Sequence, residues 1–222
     1  DDSDLRNIMH LGTPLTATAL ALAERTGATG EQVLAAIVTG YEMAGRIGET
    51  ISRNFSEARV FHGCFGAVFA AAAAAGRLLG LDAAQLAQAV AISATSIGGL
   101  ATAADTSTAR EYHAGAAVLA GVNAALAAQR GYLAEERILE CPRGFFEAYG
   151  RIDGTEGAAM ATADLGKDWD IVTDLTVKLM PGGHPYHAIS QAAAAAVAQS
   201  RQPGDRIESI TIHRPGMTKL NG

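Results

Sequence analysis

The sequence predicts a mainly α protein, with a large all-helical domain over residues 1–150 and the beginning of a smaller α/β lid domain over 151–222. Three observations predict this fold class. Hydrophobic residues make up 49% of the chain but aromatic residues only 5%, and such an alanine-rich mixture favours closely packed helices. Apolar positions in the first part recur at three- and four-residue intervals. After Asp168 the pattern changes to strand, helix and strand.

The first two helices are predicted from periodicity and capping. A helix over residues 14–25 carries apolar residues at helical spacing and ends before Gly27. Thr29 and Gln32 have capping-box spacing and lead into a second helix over 33–47. The short turn between them predicts that the two helices pack as an antiparallel hairpin.

Alanine-rich runs closed by glycine predict the rest of the helical domain, and alternating residues predict the lid. The predicted helical elements are a helix over 65–79, a capped helix from Asp82 to about Ser96, a loop or broken helix over 98–108, a helix over 114–130 and a short helix or turn over 144–150. The predicted lid elements are a strand over 175–180, a helix over 187–200 and a strand over 207–213.

Charge and composition exclude several functional classes. A net charge of −6 and the absence of a Lys/Arg run argue against nucleic-acid binding. The longest apolar stretch, 65–75, is too short to span a membrane, and no signal peptide is visible. Cys64 and Cys141 have no metal-type spacing, so we expect a cytoplasmic protein. The first residue is not methionine, and we expect parts of both domains to lie outside this sequence.

The segment from Lys178 to His187 has the composition of an anion-binding turn. It combines a lysine at a strand end, two glycines between prolines, and the imidazoles of His184 and His187 at the start of a helix. The alternative is a surface lysine with two helix-capping histidines. The two histidines are three residues apart, but zinc needs three or four ligands, so no metal site is expected.

A second candidate cluster lies at the start of the helix that follows the polar segment 98–108. Arg110, Tyr112 and His113 could bind a carboxylate and transfer a proton. The alternative is an ordinary helix start with a solvated pair of Arg110 and Glu111.

Two further clusters contain histidine. The segment Asp1 to Asp4 with His10 could provide acid/base groups or cation ligands, or could simply cap the first helix. His62 and Cys64 flank a glycine, an arrangement that rarely brings two side chains together as a nucleophile pair. No nucleophile elbow, P-loop or dinucleotide fingerprint occurs, so no hydrolase activity and no nucleotide cofactor are expected.

His10, His62, His113 and His184 each stand at the start of a predicted helix. Packing these helix ends together would bring the imidazoles, Arg110 and Lys178 into one cavity, which would be basic within an acidic protein. Such a cavity suits a small polycarboxylate and the removal of a proton next to a carboxylate.

The chain resembles the MmgE/PrpD family. The likeness lies in the order and spacing of several segments, which are 1–10, 65–81, 110–115, 144–146 and 178–187. The resemblance implies a cleft between a helical domain and an α/β lid, a homodimer, and cofactor-free proton chemistry on a di- or tricarboxylate.

The resemblance also implies roles for individual residues. The implied catalytic residues are His10, His62, His113 and Lys178, and the implied substrate-binding residues are Ser3, Arg110, Tyr112, His184 and His187. Ser3 stands where many members have threonine, which is a mild change. Arg110 stands where many have lysine, and a guanidinium keeps the charge but is a poor proton shuttle.

We therefore expect a hydro-lyase that dehydrates a citrate-like substrate such as 2-methylcitrate, as in propionate metabolism. Neither a metal nor a cofactor is expected, and neither a nucleic acid nor a membrane is an expected partner. The alternatives are a decarboxylase or epimerase of a related acid, or a non-catalytic helical protein that binds carboxylates.

Overall fold

A computed structural model describes residues 2–7, 9–58, 65–200, 206 and 208–213 of the chain. Contacts divide the chain into a first unit, Asp1–Val177, and a second unit, Lys178–Gly222. The domain boundary that the sequence predicts at residue 150 stays a prediction.

The predicted mainly α class is confirmed. The helices are α1 (Gly12–Thr26), α2 (Gly30–Ala58), α3 (Ala67–Leu78), α4 (Ala83–Ser93), α5 (Ala101–Thr106), α6 (Ala109–Gln129), a π-helical turn (Phe146–Gly150), α7 (Gly154–Thr162), α8 (Asp170–Thr173) and α9 (His184–Ser200). Within the described ranges, none combines the length and apolar character needed to cross a membrane.

Local signals explain where several helices begin and end. α1 ends at Gly27, whose φ of 69° is accessible to glycine at little cost. The Thr29 main-chain N–H donates to Gln32 Oε1 at 2.8 Å, and the Gln32 N–H donates to Thr29 Oγ1 at 3.3 Å. The equivalent box at Asp82 begins α4. Both predicted capping boxes are therefore confirmed.

α3 lies at the centre of the first unit. All its residues from 67 to 76 are buried, and it packs against α1, α2, α4 and α6. Alanine and glycine at these contacts let backbones approach closely. A Cβ at Gly121 of α6, for example, would overlap the Val68 carbonyl oxygen. The Phe69 and Phe145 rings meet edge to face with centroids 5.1 Å apart. Close helix packing therefore replaces aromatic bulk.

A two-stranded antiparallel sheet joins distant parts of the first unit. β1 (Asp2–Asp4) pairs with β2 (Leu175–Val177), with Ser3 opposite Thr176. The sequence predicted β2 as part of the lid and did not predict β1. A three-residue Asp-Ser-Asp strand has low intrinsic β propensity, and it forms here because its partner and its buried hydrogen bonds are provided by tertiary structure.

In the second unit, α9 begins at His184, three residues before the predicted start. The predicted second strand of the lid is wrong over residues 208–213, which form no regular structure. Ile210 and Ile212 alternate as a strand would, but they are 69% and 53% exposed. Alternation produces a strand only where another strand accepts its hydrogen bonds. The α/β lid domain itself stays a prediction.

Candidate active site

The clearest polar arrangement in the first unit surrounds the imidazole of His10. His10 Nδ1 lies 2.8 Å from the main-chain oxygen of Asp2 and 3.0 Å from Ser3 Oγ. A carbonyl oxygen only accepts, so Nδ1 carries the hydrogen and donates it to Asp2, while Ser3 Oγ shares it as a second acceptor. A neutral His10 therefore has its lone pair on Nε2.

This tautomer limits what Ser3 can do. Because Nδ1 is a donor, it cannot remove a proton from the Ser3 hydroxyl, so this pair is not an activated nucleophile. The hydroxyl keeps its own hydrogen and can donate it to another acceptor. The pair is thus suited to a proton transfer at Nε2 with a hydroxyl donor beside it.

The carboxylate of Asp2 is held by two helices. Tyr41 Oη of α2 donates to Asp2 Oδ2 at 2.6 Å, and the Gly12 N–H of α1 lies 3.0 and 3.1 Å from the two carboxylate oxygens. Burial and the bond to Asp2 raise the pKa of Tyr41. Tyr41 is not among the site residues predicted from the sequence, although a buried tyrosine hydroxyl usually has a hydrogen-bond partner.

A second carboxylate of β1 shapes the loop that leads to His10. Asp4 accepts from the Arg6 N–H and from Asn7 Nδ2, both at 2.8 Å. The carboxyl group of Asp170 in α8 is 1% exposed and faces Asp4. Burial and the negative charge of Asp4 raise the pKa of Asp170 to about 8. Asp170 therefore keeps its proton near neutral pH.

Arg6 is the cation at this end of the sheet. Its Nε lies 2.7 Å from Asp174 Oδ2 and 3.4 Å from Asp170 Oδ1, and its Nη1 lies 3.4 Å from Glu49 Oε2. Carboxyl groups therefore outnumber cations around β1 within the described part of the chain. The basic cavity expected from the sequence stays a prediction that depends on Arg110 and Lys178.

One face of α2 supports both β1 and the His10 loop. Tyr41, Gly45, Gly48 and Glu49 recur along this face at three- and four-residue spacing. A Cβ at Gly45 would overlap the Asp170 carboxyl group, and a Cβ at Gly48 would overlap Met9 and Asn7. Gly45 thus allows α2 to approach α8 closely, and Gly48 allows it to approach the His10 loop.

A buried arginine on the same helix secures the segment before α8. The Arg46 guanidinium pairs with Glu42, and it donates to the main-chain carbonyls of Ala163, Asp164 and Asp168. Glu42 in turn accepts from the Asp170 N–H at 2.8 Å. These bonds hold Asp170 against Asp4, an arrangement that no local sequence pattern indicates.

The cluster at the start of α6 lies inside the helix rather than before it. Arg110 Nε pairs with Glu111 Oε1 at 3.7 Å, and both side chains are exposed, which matches the solvated pair considered above. Tyr112 is 74% exposed and lines a groove of about 650 Å³ between α4 and α6. The His113 ring packs against Gly99. The substrate and catalytic roles of these residues stay predictions.

In the second unit, Lys178 directly follows β2 and is half-buried. The rings of His184 and His187 lie in the first turn of α9 with centroids 5.2 Å apart. Gly182, with a φ of 112°, makes the turn before them. Over the residues that the structure describes, no group of three His, Cys, Asp or Glu side chains could hold a metal ion.

The structure thus brings together Ser3 with His10, and His184 with His187. His62 lies outside the described residues. Convergence of all the predicted residues on one cavity stays a prediction.

Comparison with known proteins adds to this geometry. The sequence pattern of the MmgE/PrpD N-terminal domain matches residues 1–157, which is more than half of the chain. The chain belongs to the MmgE/PrpD family. The match spans β1, the His10 loop and α6, so Ser3, His10 and the Arg110 cluster lie inside the family's N-terminal domain. Lys178, His184 and His187 lie beyond it.

A curated relative is the cis-aconitate decarboxylase-like protein oryM of Aspergillus oryzae. It is 32% identical over 159 residues, which cover 68% of this chain and 32% of the relative. The chain therefore spans about a third of the length of the relative that it matches. MmgE/PrpD family members include enzymes that act on carboxylates.

Proposed function

We propose that this chain belongs to a cofactor-free lyase that removes water from a citrate-like hydroxy-polycarboxylate. The observation that carries the proposal is the fixed tautomer of His10, whose Nδ1 donates to the Asp2 carbonyl and whose lone pair is on Nε2. A neutral imidazole in this state can take a proton from a carbon next to a carboxylate.

In the proposed reaction, the carbon–hydrogen bond breaks and its proton goes to His10 Nε2. The electron pair forms a carbon–carbon double bond as the neighbouring C–O bond breaks. The hydroxyl group leaves as water with a proton from a second acid, for which His113 and His62 are the candidates. The Ser3 hydroxyl donates to a substrate oxygen.

The proposed substrate is a dianion or trianion and needs positive charge. Arg110 and Lys178 are the proposed carboxylate ligands, since both can form charge-assisted hydrogen bonds. Their charge would also stabilise the enolate-like state that develops as the proton leaves. Tyr112, His184 and His187 are proposed as further substrate contacts.

Decarboxylation is the second candidate, because the Aspergillus oryzae relative is named for a cis-aconitate decarboxylase. In that reaction a carbon–carbon bond breaks, carbon dioxide leaves, and the proton is delivered to carbon. The same imidazole would then act as the acid, with its proton on Nε2 at the start.

The test is incubation with citrate, 2-methylcitrate and cis-aconitate in heavy water, followed by NMR of the products. Dehydration predicts a new double bond in the product, and its reversal in heavy water places deuterium on the carbon next to the carboxylate of the hydroxy acid. Release of carbon dioxide would favour decarboxylation instead. Measurable binding of these acids without deuterium uptake or product would refute the lyase and support a carboxylate-binding protein.

A further inference from the structure

Tyr41 reaches the candidate site only through another residue. Its side chain is 5% exposed in the core of the first unit, and its hydroxyl donates to Asp2 Oδ2 at 2.6 Å. It does not take part in the proton transfer proposed above. Its hydrogen bond is therefore either an ordinary way to satisfy a buried hydroxyl or a means of fixing Asp2.

The position of Asp2 decides between these two meanings. The same residue that receives the Tyr41 hydrogen bond on its carboxylate receives the His10 Nδ1 hydrogen bond on its main-chain oxygen. Rotation of Asp2 would move its carboxylate and its main-chain oxygen together. The hydroxyl of Tyr41 is thus linked to the imidazole by one residue.

The backbone that follows His10 in sequence is held by the same Asp2 carboxylate. Gly12 follows His10 by two residues, and its N–H lies 3.0 and 3.1 Å from the oxygens of Asp2. Asp2 therefore fixes the imidazole through its carbonyl and fixes the backbone beyond it through its carboxylate. Tyr41 anchors this arrangement to α2.

We propose that Tyr41 is a positioning residue that, by holding the Asp2 carboxylate, orients the Asp2 carbonyl and keeps the His10 hydrogen on Nδ1. Its effect on activity rests on the proposed function, whereas its effect on the His10 tautomer does not. Burial and the Asp2 hydrogen bond raise the pKa of Tyr41, so its hydroxyl stays a donor across the pH range in which the protein would be assayed.

The test uses the full chain with ¹⁵N-labelled histidine and the variant Tyr41→Phe, which keeps the ring and removes the hydroxyl. Imidazole ¹⁵N shifts distinguish the two tautomers, and the His10→Gln spectrum identifies the His10 signals. Wild-type His10 should show a protonated Nδ1. In Tyr41→Phe the shifts should move toward the Nε2-protonated tautomer, which imidazole prefers in water.

Tyr132→Phe is the matched control, because Tyr132 is 68% exposed. It should leave the His10 shifts unchanged. Where a substrate is turned over, Tyr41→Phe should lower kcat about tenfold with little change in KM, since one hydrogen bond is lost away from the substrate.

Wild-type His10 shifts in a cooperatively folded Tyr41→Phe protein would overturn the proposal. If Tyr41→Phe does not fold, Asp2→Ala provides the same test, because it removes the carboxylate that accepts from Tyr41 and Gly12. Unchanged shifts in that variant would equally overturn it. Failure to find any substrate would remove the proposed function but leave the tautomer result decisive.

Discussion

At the scale of single residues, a neutral carbonyl orients the candidate proton-transfer group. In a Ser-His-Asp site a carboxylate takes this position and stabilises the imidazolium. Here the Asp2 main-chain oxygen holds His10 Nδ1 without adding a full charge, and the Asp2 carboxylate is turned toward Tyr41 and Gly12. This arrangement fixes the direction of the ring and favours a histidine that both accepts and returns a proton.

A stability prediction follows from Asp170. Its folded pKa is raised from 3.8 to about 8, so between these values the folded protein keeps a proton that the unfolded chain has lost. The free energy of unfolding should therefore fall as pH rises from about 4 to about 8. Asp170→Asn cannot ionise, so its free energy of unfolding should fall less over this window. Urea denaturation at pH 5, 6, 7 and 8 measures the difference.

Asp168→Asn is the control for this prediction, because it removes the same kind of carboxyl group from an exposed position two residues away. The charged groups that face Asp170 are Asp4, Arg6, Asp174 and Glu42. They remain in both variants, so the pH dependence that differs belongs to Asp170. Equal pH dependence in wild type and Asp170→Asn would show that Asp170 is ionised in the folded protein at neutral pH.

Sequence reasoning located Ser3 and His10 but missed Tyr41 and Asp170, for a physical reason. Ser3 and His10 lie close in sequence, so their contact depends on one local loop. Tyr41 bonds Asp2 and Asp170 faces Asp4, partners 39 or more positions away, in contacts made by tertiary packing. Their spacing within their own helices predicts only which face is buried.

At the scale of elements, α2 is the support on which the candidate site is built. It runs on to Ala58, past the end predicted at residue 47. Two glycines, Gly45 and Gly48, weaken the local helical signal there. The structure keeps them helical because packing against Asp170 of α8 and against the His10 loop needs their lack of side chains. Tertiary contact thus overrides intrinsic propensity.

Replacing glycine by alanine usually stabilises a helix, but at Gly45 the same replacement should destabilise the protein. Alanine in a helix is favoured over glycine by about 1 kcal/mol, yet Gly45→Ala should destabilise the protein, because its Cβ overlaps the Asp170 carboxyl group. Gly115→Ala is the matched control, since nothing lies within 4 Å of its Cβ in α6. It should stabilise by about 0.5–1 kcal/mol. Thermal unfolding of both variants measures the contrast, and stabilisation in both would contradict the close approach.

Helices and strands were predictable from the sequence to different degrees. Thr29 with Gln32 and Asp82 with Gln85 are local signals, so the capping boxes of α2 and α4 were predicted correctly, although α2 begins at Gly30 and not at the predicted residue 33. β1 carries no such signal, because it depends on β2 for its partner. The strand predicted at 207–213 fails over its described residues for the converse reason, since its alternation has no partner strand there.

At the scale of the whole molecule, the two candidate groups of residues belong to different units. Ser3 and His10 lie in the first unit, and Lys178 begins the second. Lys178→Ala should lower kcat/KM about a hundredfold if the ammonium binds a substrate carboxylate as proposed. Cooperative unfolding should be retained, because the residue is only half-buried and lies outside helices and strands.

Lys167→Ala is the matched control for Lys178→Ala, since Lys167 is an exposed lysine between α7 and α8. Its activity should equal that of the wild type. Full turnover in Lys178→Ala would remove that lysine from the site and leave Arg110 as the candidate carboxylate ligand.

The pairing of β1 with β2 has a consequence for the order in which the protein folds. Helices form from neighbours in sequence, whereas the Arg6–Asp174 bond beside this ladder joins residues 168 positions apart. Contacts of such long separation cost loop-closure entropy and form late. During synthesis β1 must wait for almost the entire first unit before its partner leaves the ribosome. The helices can therefore be in place while β1 is still unpaired, and a partly folded chain would have its helices without the Arg6–Asp174 bond that ties β1 to the segment before β2.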